Sequence, residues 1–287
     1  MTSPDRDKVL DVDSVTLRFG GLTSLSGVSL TQTRGEILAV IGPNGAGKTS
    51  LFNCLTGVYR PQAGRVYFRS EPGAEPVPLL SAPRAAPLGW LGLRRPPTPY
   101  EVNALGVART FQNIRLFAAL TTFENVKIGV ESRQRTGPLG AMLRTPWQRR
   151  EERESDQHSA ELLDFVGLTR RSNELAGALP YGDQRRLEIA RALGTQPSLL
   201  LLDEPAAGTN PAEKRQLEDL IRKVNATGVS VLLIEHDMRL VMSVADRVVV
   251  LNFGEVIAAG VPSEVQRNRA VIEAYLGTGA SDDAAGA

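Results

Sequence analysis

Gly42-Pro43-Asn44-Gly45-Ala46-Gly47-Lys48-Thr49 fits G-x-x-x-x-G-K-[ST], the pattern of a phosphate-binding loop set between a strand and a helix. The flanking residues supply that context. Upstream, Glu36-Ile37-Leu38-Ala39-Val40-Ile41 is a short apolar run of the kind a buried parallel strand needs. Downstream, Thr49-Ser50-Leu51-Phe52-Asn53-Cys54-Leu55 reads as a helix. The glycines let the backbone turn its N–H groups inward as an anion-binding nest, and the helix N-terminus adds about half a positive charge. Lys48 is placed to reach β- and γ-phosphates, and the Thr49 hydroxyl to hold Mg2+. The premise that follows is a bound nucleoside triphosphate.

At 287 residues the chain can be one large domain or two smaller ones. Its 42% hydrophobic and 23% charged content are those of an ordinary globular protein. A net charge of +1 gives no support for a nucleic-acid partner. Cys54 is the only cysteine, so no intrachain disulfide forms and a reducing compartment is suited. No apolar run approaches the ~18–20 residues of a membrane span. Asp5, Arg6, Asp7 and Lys8 lie where a signal peptide would carry its apolar segment. The expectation is a cytosolic chain, unless a partner tethers it to a membrane.

Leu10, Val12, Val15, Leu17 and Phe19 largely alternate, which predicts a first strand ending near Phe19 and a turn at Gly20-Gly21. Residues 64–69 and 107–111 read as further strands. Between them, 70–103 holds Pro72, Pro76, Pro78, Pro83, Pro87, Pro96, Pro97 and Pro99, and is read as a surface insertion unable to sustain helix or central strand. Helical signals cover 121–134, 151–166 and 183–193, and the Arg- and Glu-rich run 144–154 reads as a solvated helix face. Leu217, Leu220, Ile221 and Val224 follow i, i+3, i+4, i+7. Residues 198–203 and 229–234 are buried strands, with two shorter ones at 247–251 and 255–259. Residues 1–7 and 278–287 read as disordered. Early alternating strands suggest an antiparallel layer, and later apolar runs between helices suggest a parallel sheet: an α/β fold.

In open α/β sheets, ligands sit beyond the carboxyl ends of the strands. The phosphate loop follows Ile41, Gln112 follows Phe111, Asp203-Glu204 follow four leucines, and Glu235-His236 follow Ile234. Asp203 suits a magnesium-side carboxylate. Glu204, on the opposite side of the backbone, could polarise an attacking water. Gln112 and His236 are ordinary loop residues by identity; their positions single them out. Phe19 suits either core packing or stacking on a base.

With these residues assembled, the chain resembles the ATP-binding-cassette ATPases over nearly its full length. The decisive stretch is Leu179-Pro180-Tyr181-Gly182-Asp183-Gln184-Arg185-Arg186-Leu187-Glu188-Ile189-Ala190-Arg191, similar to the family's signature segment and lying shortly before Asp203-Glu204-Pro205. The resemblance implies a nucleotide triphosphatase core (8–112 and 181–277) with a parallel central sheet and an antiparallel β layer, and an inserted α-helical subdomain (113–180). It implies ATP and Mg2+ as ligands. Phe19 would stack on adenine, and Gly42, Pro43, Asn44, Gly45, Ala46, Gly47, Lys48, Thr49 and Ser50 would bind the nucleotide. Thr49, Gln112 and Asp203 would surround the metal, Glu204 would be the general base, and His236 would contact the γ-phosphate. Tyr181, Gly182 and Asp183 would complete the site of a second subunit.

Three positions depart from the family pattern. Pro180 stands where a serine is usual and supplies neither a hydroxyl nor an N–H. Asp183 adds negative charge unless it points away or pairs with a base such as Arg186. Asn210 stands where most members have Asp. The Tyr-Gly core, Ile234-Glu235-His236-Asp237-Met238 and the ending Val271-Ile272-Glu273-Ala274-Tyr275-Leu276-Gly277 are similar to the longer ATP-binding subunits of branched-chain amino-acid importers. ATPases of urea or short-amide import and of lipopolysaccharide export are neighbouring alternatives, and a soluble non-transport cassette ATPase is a further one.

The implied partners are two membrane-spanning permease subunits, a second ATP-binding subunit and an extracytoplasmic substrate-binding protein, with no nucleic acid. The implied place is the cytoplasmic face of the membrane, held peripherally. Asn113 to Phe117 and the helix near Glu124 would receive the permease, although Leu116 and Phe117 equally suit core packing.

Overall fold

The computed structural model describes residues 7–81, 97–132 and 146–276. Its centre is set by three apolar runs buried along their whole length: β3 (Ile37–Ile41), β7 (Leu199–Asp203) and β8 (Ser230–Ile234). A strand covered on both faces has no use for alternation, hence the continuous Leu, Ile and Val. With β6 (Val107–Arg109), β9 (Arg247–Asn252) and β10 (Glu255–Gly260) they form a sheet of order β10-β9-β3-β8-β7-β6. All neighbours in it are parallel except β10, an antiparallel edge strand on β9.

A second, antiparallel sheet has the order β2-β1-β4-β5, from Lys8–Phe19 (β1), Leu22–Thr33 (β2), Ala63–Phe68 (β4) and Val77–Ser81 (β5). Helix α1 (Lys48–Leu55) joins the layers: Leu51, Phe52 and Leu55 share one core with Val66 and Leu79 on one side and Leu199 and Leu201 on the other. The far face of the parallel sheet is covered by α5 (Tyr181–Gly194) and α6 (Pro211–Ala226), and Leu217, Leu220, Ile221 and Val224 are the buried stripe of α6, as their spacing predicts.

Between β6 and α5 lie α2's successors, α3 (Thr122–Glu131) and α4 (Pro146–Phe165), where α2 itself is Pro99–Leu105. Helix α5 packs on both α3 and α4. The α3–α5 approach is close enough that a Cβ on Gly129 would lie 2.2 Å from the Arg191 carbonyl oxygen. Buried Asn125 fixes the entry to α3, accepting from the Phe117 N–H at 2.9 Å and donating to the Phe117 and Thr121 carbonyls at 3.1 and 2.9 Å. Three short helices, α7 (Met238–Val244), α8 (Pro262–Val265) and α9 (Arg269–Leu276), complete the chain.

Two elements differ from the sequence expectation. Strand β2 has no clean alternation: Leu25, Val28, Leu30 and Gln32 turn inward, but its pairing with β1 slips register repeatedly, which scrambles a period of two. The Pro-rich 70–103 stretch does hold regular structure, contrary to its reading as a bare insertion. Thr98 and Glu101 form a reciprocal capping box with Pro99 in the first turn, the one helical place where a missing N–H is harmless, and α2 follows. Pro78 is tolerated because β5 is an edge strand. Residues 82–96 of that stretch, and the disorder expected for the termini apart from Asp7, lie outside the described residues.

The lone thiol reports on this packing. Cys54 is fully buried in α1, and burial pushes its pKa up to about 12. At pH 8 the folded chain is expected to resist a thiol-specific disulfide reagent for as long as it stays folded, and to yield one thiol per chain in denaturant. Rapid labelling under native conditions would contradict the sealed packing of α1 between the sheets.

Candidate active site

Gly42, Gly45 and Gly47 have φ of 152°, 81° and 103°. A Cβ on Gly42 would lie 2.1 Å from the Leu251 carbonyl oxygen, and one on Gly47 2.6 Å from that of Ser24. The loop is thus wedged between the end of β9 and the β1–β2 hairpin, and only glycine fits. The Gly254 N–H donates to the Ala46 carbonyl at 3.0 Å, and the Ser24 and Ser50 hydroxyls meet at 2.7 Å. Asn44, Gly45 and Thr49 stay exposed. Lys48 is buried and donates to the Gly42 and Pro43 carbonyls at 2.7 and 2.9 Å, drawn across its own loop. Burial pushes its pKa down, against the pull of Glu204 and Asp203.

The other residues arrive from adjacent strand ends. Ile234 is in register with Val40 on one side and Asp203 on the other, and Arg109 with Leu201. Glu204 accepts from Gln112 Nε2 at 2.9 Å, and His236 Nδ1 lies 3.6 Å from the same oxygen. Glu204 has φ of +45°, a left-handed conformation costing a non-glycine residue about 1–2 kcal/mol. The main chain enforces it, since the Glu204 N–H donates to the Ile234 carbonyl at 2.9 Å. Strained backbone of this kind is common at active sites.

Asp203 is bound by a residue that the sequence reading passed over. Arg109 Nη2 lies 2.7 Å from Asp203 Oδ2, both side chains being nearly inaccessible, while Nη1 donates to Asn53 Oδ1 at 2.7 Å. The guanidinium lies over the rings of Phe52 and Phe111, at 5.5 and 5.1 Å. The available signal was a charged residue inside a short apolar strand. The oxygens of Thr49, Asp203 and the Gln112 amide are hard donors of the kind Mg2+ takes. Among the described residues no group of three or more His, Cys, Asp or Glu could hold a metal.

Glu235, placed at the sheet edge by the sequence but given no role there, is a second such group. It is fully buried and accepts from the Ala206 N–H at 2.8 Å and the His236 N–H at 3.1 Å, tying the end of β8 to the loop after Glu204. Burial pushes its pKa up against these bonds and the nearby His236.

At the start of α5, Pro180 offers no side-chain cap, and its carbonyl accepts from the Asp183 and Gln184 N–H groups at 2.9 and 3.0 Å. Tyr181 is 42% exposed. A Cβ on Gly182 would lie 2.8 Å from Glu213 Oε1, so α5 and α6 begin in contact. Asp183 is ion-paired with Arg186, the partner the sequence reading allowed it, and, at 3.2 Å, with Arg171. Asn210 caps α6, accepting from the Ala212 and Glu213 N–H groups at 2.9 and 3.0 Å. Phe19, at the tip of β1, is 46% exposed and meets Tyr59 edge-on at 5.1 Å.

Residues 25–207 match the family model described as ABC transporter. Residues 255–281 match that of the branched-chain amino acid ATP-binding cassette transporter. The chain belongs to the ABC transporter ATP-binding family. This cassette is 43% identical to the high-affinity branched-chain amino acid transport ATP-binding protein BraF of Pseudomonas aeruginosa, over 94% of this chain and 98% of that one. It is 42% identical to the protein LivG of Escherichia coli K12 over the same shares. A crystal structure of an ATP-binding cassette of an ABC transporter in its ADP conformation superposes with a TM-score of 0.75 at 29% identity, covering 94% of this chain and 99% of that one. The fold is therefore that of the ABC ATPases, and the cassette binds and hydrolyses nucleotide as the family does.

The Glu235 environment gives a pH test. The folded chain holds this proton more tightly than the unfolded one, so stability falls as pH rises from the ordinary carboxylate range toward the raised folded value. Glu235→Gln removes the titration, whatever constant offset its lost acceptor adds. Urea midpoints at pH 5 and pH 8 should differ less in the variant than in the parent, and equal differences would place the titration elsewhere.

Proposed function

We propose that this cassette is the ATP-hydrolysing motor subunit of a branched-chain amino-acid importer, working as a dimer of ATP-binding subunits under two membrane-spanning permease subunits. The observation that carries it is the convergence of Lys48, Gln112, Asp203, Glu204 and His236 at one edge of the parallel sheet, from the ends of β3, β6, β7 and β8. The functions of the relatives, both branched-chain amino acid transport ATP-binding proteins by name, favour branched-chain amino acids over urea, short amides or lipopolysaccharide.

In this reading the glycine-lined loop presents N–H groups to the phosphates, and Lys48 exchanges neutral carbonyl partners for phosphate oxygens. Phe19 stacks on the adenine. Thr49, Gln112 and Asp203 hold Mg2+, which when bound neutralises charge on the β- and γ-phosphates. Glu204 takes a proton from the attacking water. Gln112 and His236, both directed at the Glu204 carboxylate, orient it and meet the γ-phosphate. Tyr181 and Gly182 at the start of α5 face the nucleotide of the second subunit, and Asp183 serves through its arginine pairs rather than by contact.

No helix among the described residues is long and apolar enough to cross a membrane, which suits a subunit held peripherally at the cytoplasmic face by its permease. Substrate choice then rests with the permease and an extracytoplasmic substrate-binding protein.

Glu204→Gln should bind ATP, lose about 10²–10⁴-fold in turnover and accumulate as an ATP-bound dimer on gel filtration. Lys48→Ala should lose nucleotide binding in a filter assay. Hydrolysis by Glu204→Gln at the parental rate would remove the general-base role, and undiminished ATP affinity in Lys48→Ala would remove that of the phosphate loop.

A further inference from the structure

The first turns of α5 carry a pair of opposite charges that the phosphate chemistry leaves unused. Arg185 and Glu188 have side chains only 1% exposed and meet at 3.0 Å. What they hold is the backbone that follows β6. Arg185 donates to the Phe111 carbonyl at 2.7 Å and to the Gln112 carbonyl at 2.9 Å. Glu188 accepts from the N–H groups of Phe111 and Arg115, each at 3.3 Å. Arg185 also donates to the Tyr181 hydroxyl at 3.1 Å.

A buried ion pair is weak evidence for stability, because desolvation offsets its attraction. Its bonds to the backbone are another matter. They are charge-assisted, and the loop can leave α5 only by stripping both buried ions of their backbone partners. The same loop lines a cleft of about 400 Å³, with Arg115 over the ring of Phe111 at 4.5 Å and Arg191 over that of Phe117 at 5.7 Å. Ile128 and Gly129 of α3 close its other side. An object entering this cleft presses on a segment already fastened to α5.

We infer that Arg185 and Glu188 are positioning residues that fasten the Gln112 loop to the start of α5, so that a shift of the loop and the presentation of Tyr181 and Gly182 to a second subunit are a single motion. The inference rests on the reading of Tyr181 and Gly182 as contacts across the dimer. Neither residue touches the phosphate loop in the contacts given above, and their role is transmission.

Two variants separate this from simple packing. Glu188→Gln keeps the volume and removes the charge; Arg185→Lys keeps the charge and removes the fork. Both should bind a fluorescent ATP analogue within about twofold of the parent, since the phosphate loop is intact. Amide exchange at 111–115 and 181–184 should quicken together by about tenfold. ATP-driven dimerisation in a Glu204→Gln background, followed by light scattering, should weaken by about tenfold. Parental exchange in the loop, or faster exchange with parental dimerisation, overturns the inference. Protection lost across the whole chain in both variants does so too, in favour of a purely structural role. If Glu204→Gln alone fails to dimerise with ATP, the dimer reading itself falls, and the inference with it.

Discussion

Four neighbouring parallel strands, β3, β8, β7 and β6, point their carboxyl ends to one edge of the sheet, and the meeting of the site's side chains depends on that alignment. Strands covered on both faces can carry only apolar side chains, so polar groups are confined to their ends. Neighbours lie about 4.8 Å apart. Adjacent ends therefore place side chains within reach of one another, and the order decides who meets whom. Strand β8 lies between β3 and β7, which brings His236 between the phosphate loop and Glu204. Strand β6 borders β7, which brings Gln112 onto the Glu204 carboxylate and Arg109 onto Asp203.

Such a rim concentrates charge, and each ion has been given a partner of a particular kind. Asp203 has a fixed cation in Arg109, whose position is itself set by Asn53 and two aromatic rings. Truncating either member would leave the other buried and unpaired, a loss of about 3–5 kcal/mol. Lys48 has only carbonyl oxygens. These bonds are weaker than those to an anion, so a phosphate can displace them at little cost. The residues that must persist through a reaction cycle are thus held by charge, and the one that must change partners is held by dipoles. Glu204 sits between these cases, its backbone strained and its carboxylate shared by an amide and an imidazole.

What could be read from the sequence follows the same division. The apolar runs of β3, β7 and β8 and the polar residues after them are local signals, and they located the sheet edge and the site residues on it. Strand β2 escaped because bulges destroy its period, and α2 because a proline count outweighed the capping box at Thr98 and Glu101. Arg109, Arg185, Glu188 and Glu235 escaped for a different reason. Asp203, the backbone of 111–115 and the Ala206 N–H, which hold them, lie far along the chain. Arg185 and Glu188 do pair locally, but a charge pair at i, i+3 reads the same whether buried or solvated.

The departures from the family pattern can be weighed on the same basis. Asn210 caps α6 through the two N–H bonds that an aspartate would make, without its charge, and its own N–H still donates to the Glu213 carboxylate. Asp183 would oppose phosphate if its charge were free, yet Arg171 and Arg186 reach it from two elements of the helical layer. Aspartate at the first turn also complements the helix dipole of α5. Pro180 gives up a hydroxyl but fixes the backbone angle at the helix entry, and its carbonyl still accepts from Asp183 and Gln184. The charge at the start of α5 is therefore paired before any phosphate approaches, and the exposed ring of Tyr181 beside Gly182 is what that end offers a ligand or a facing subunit.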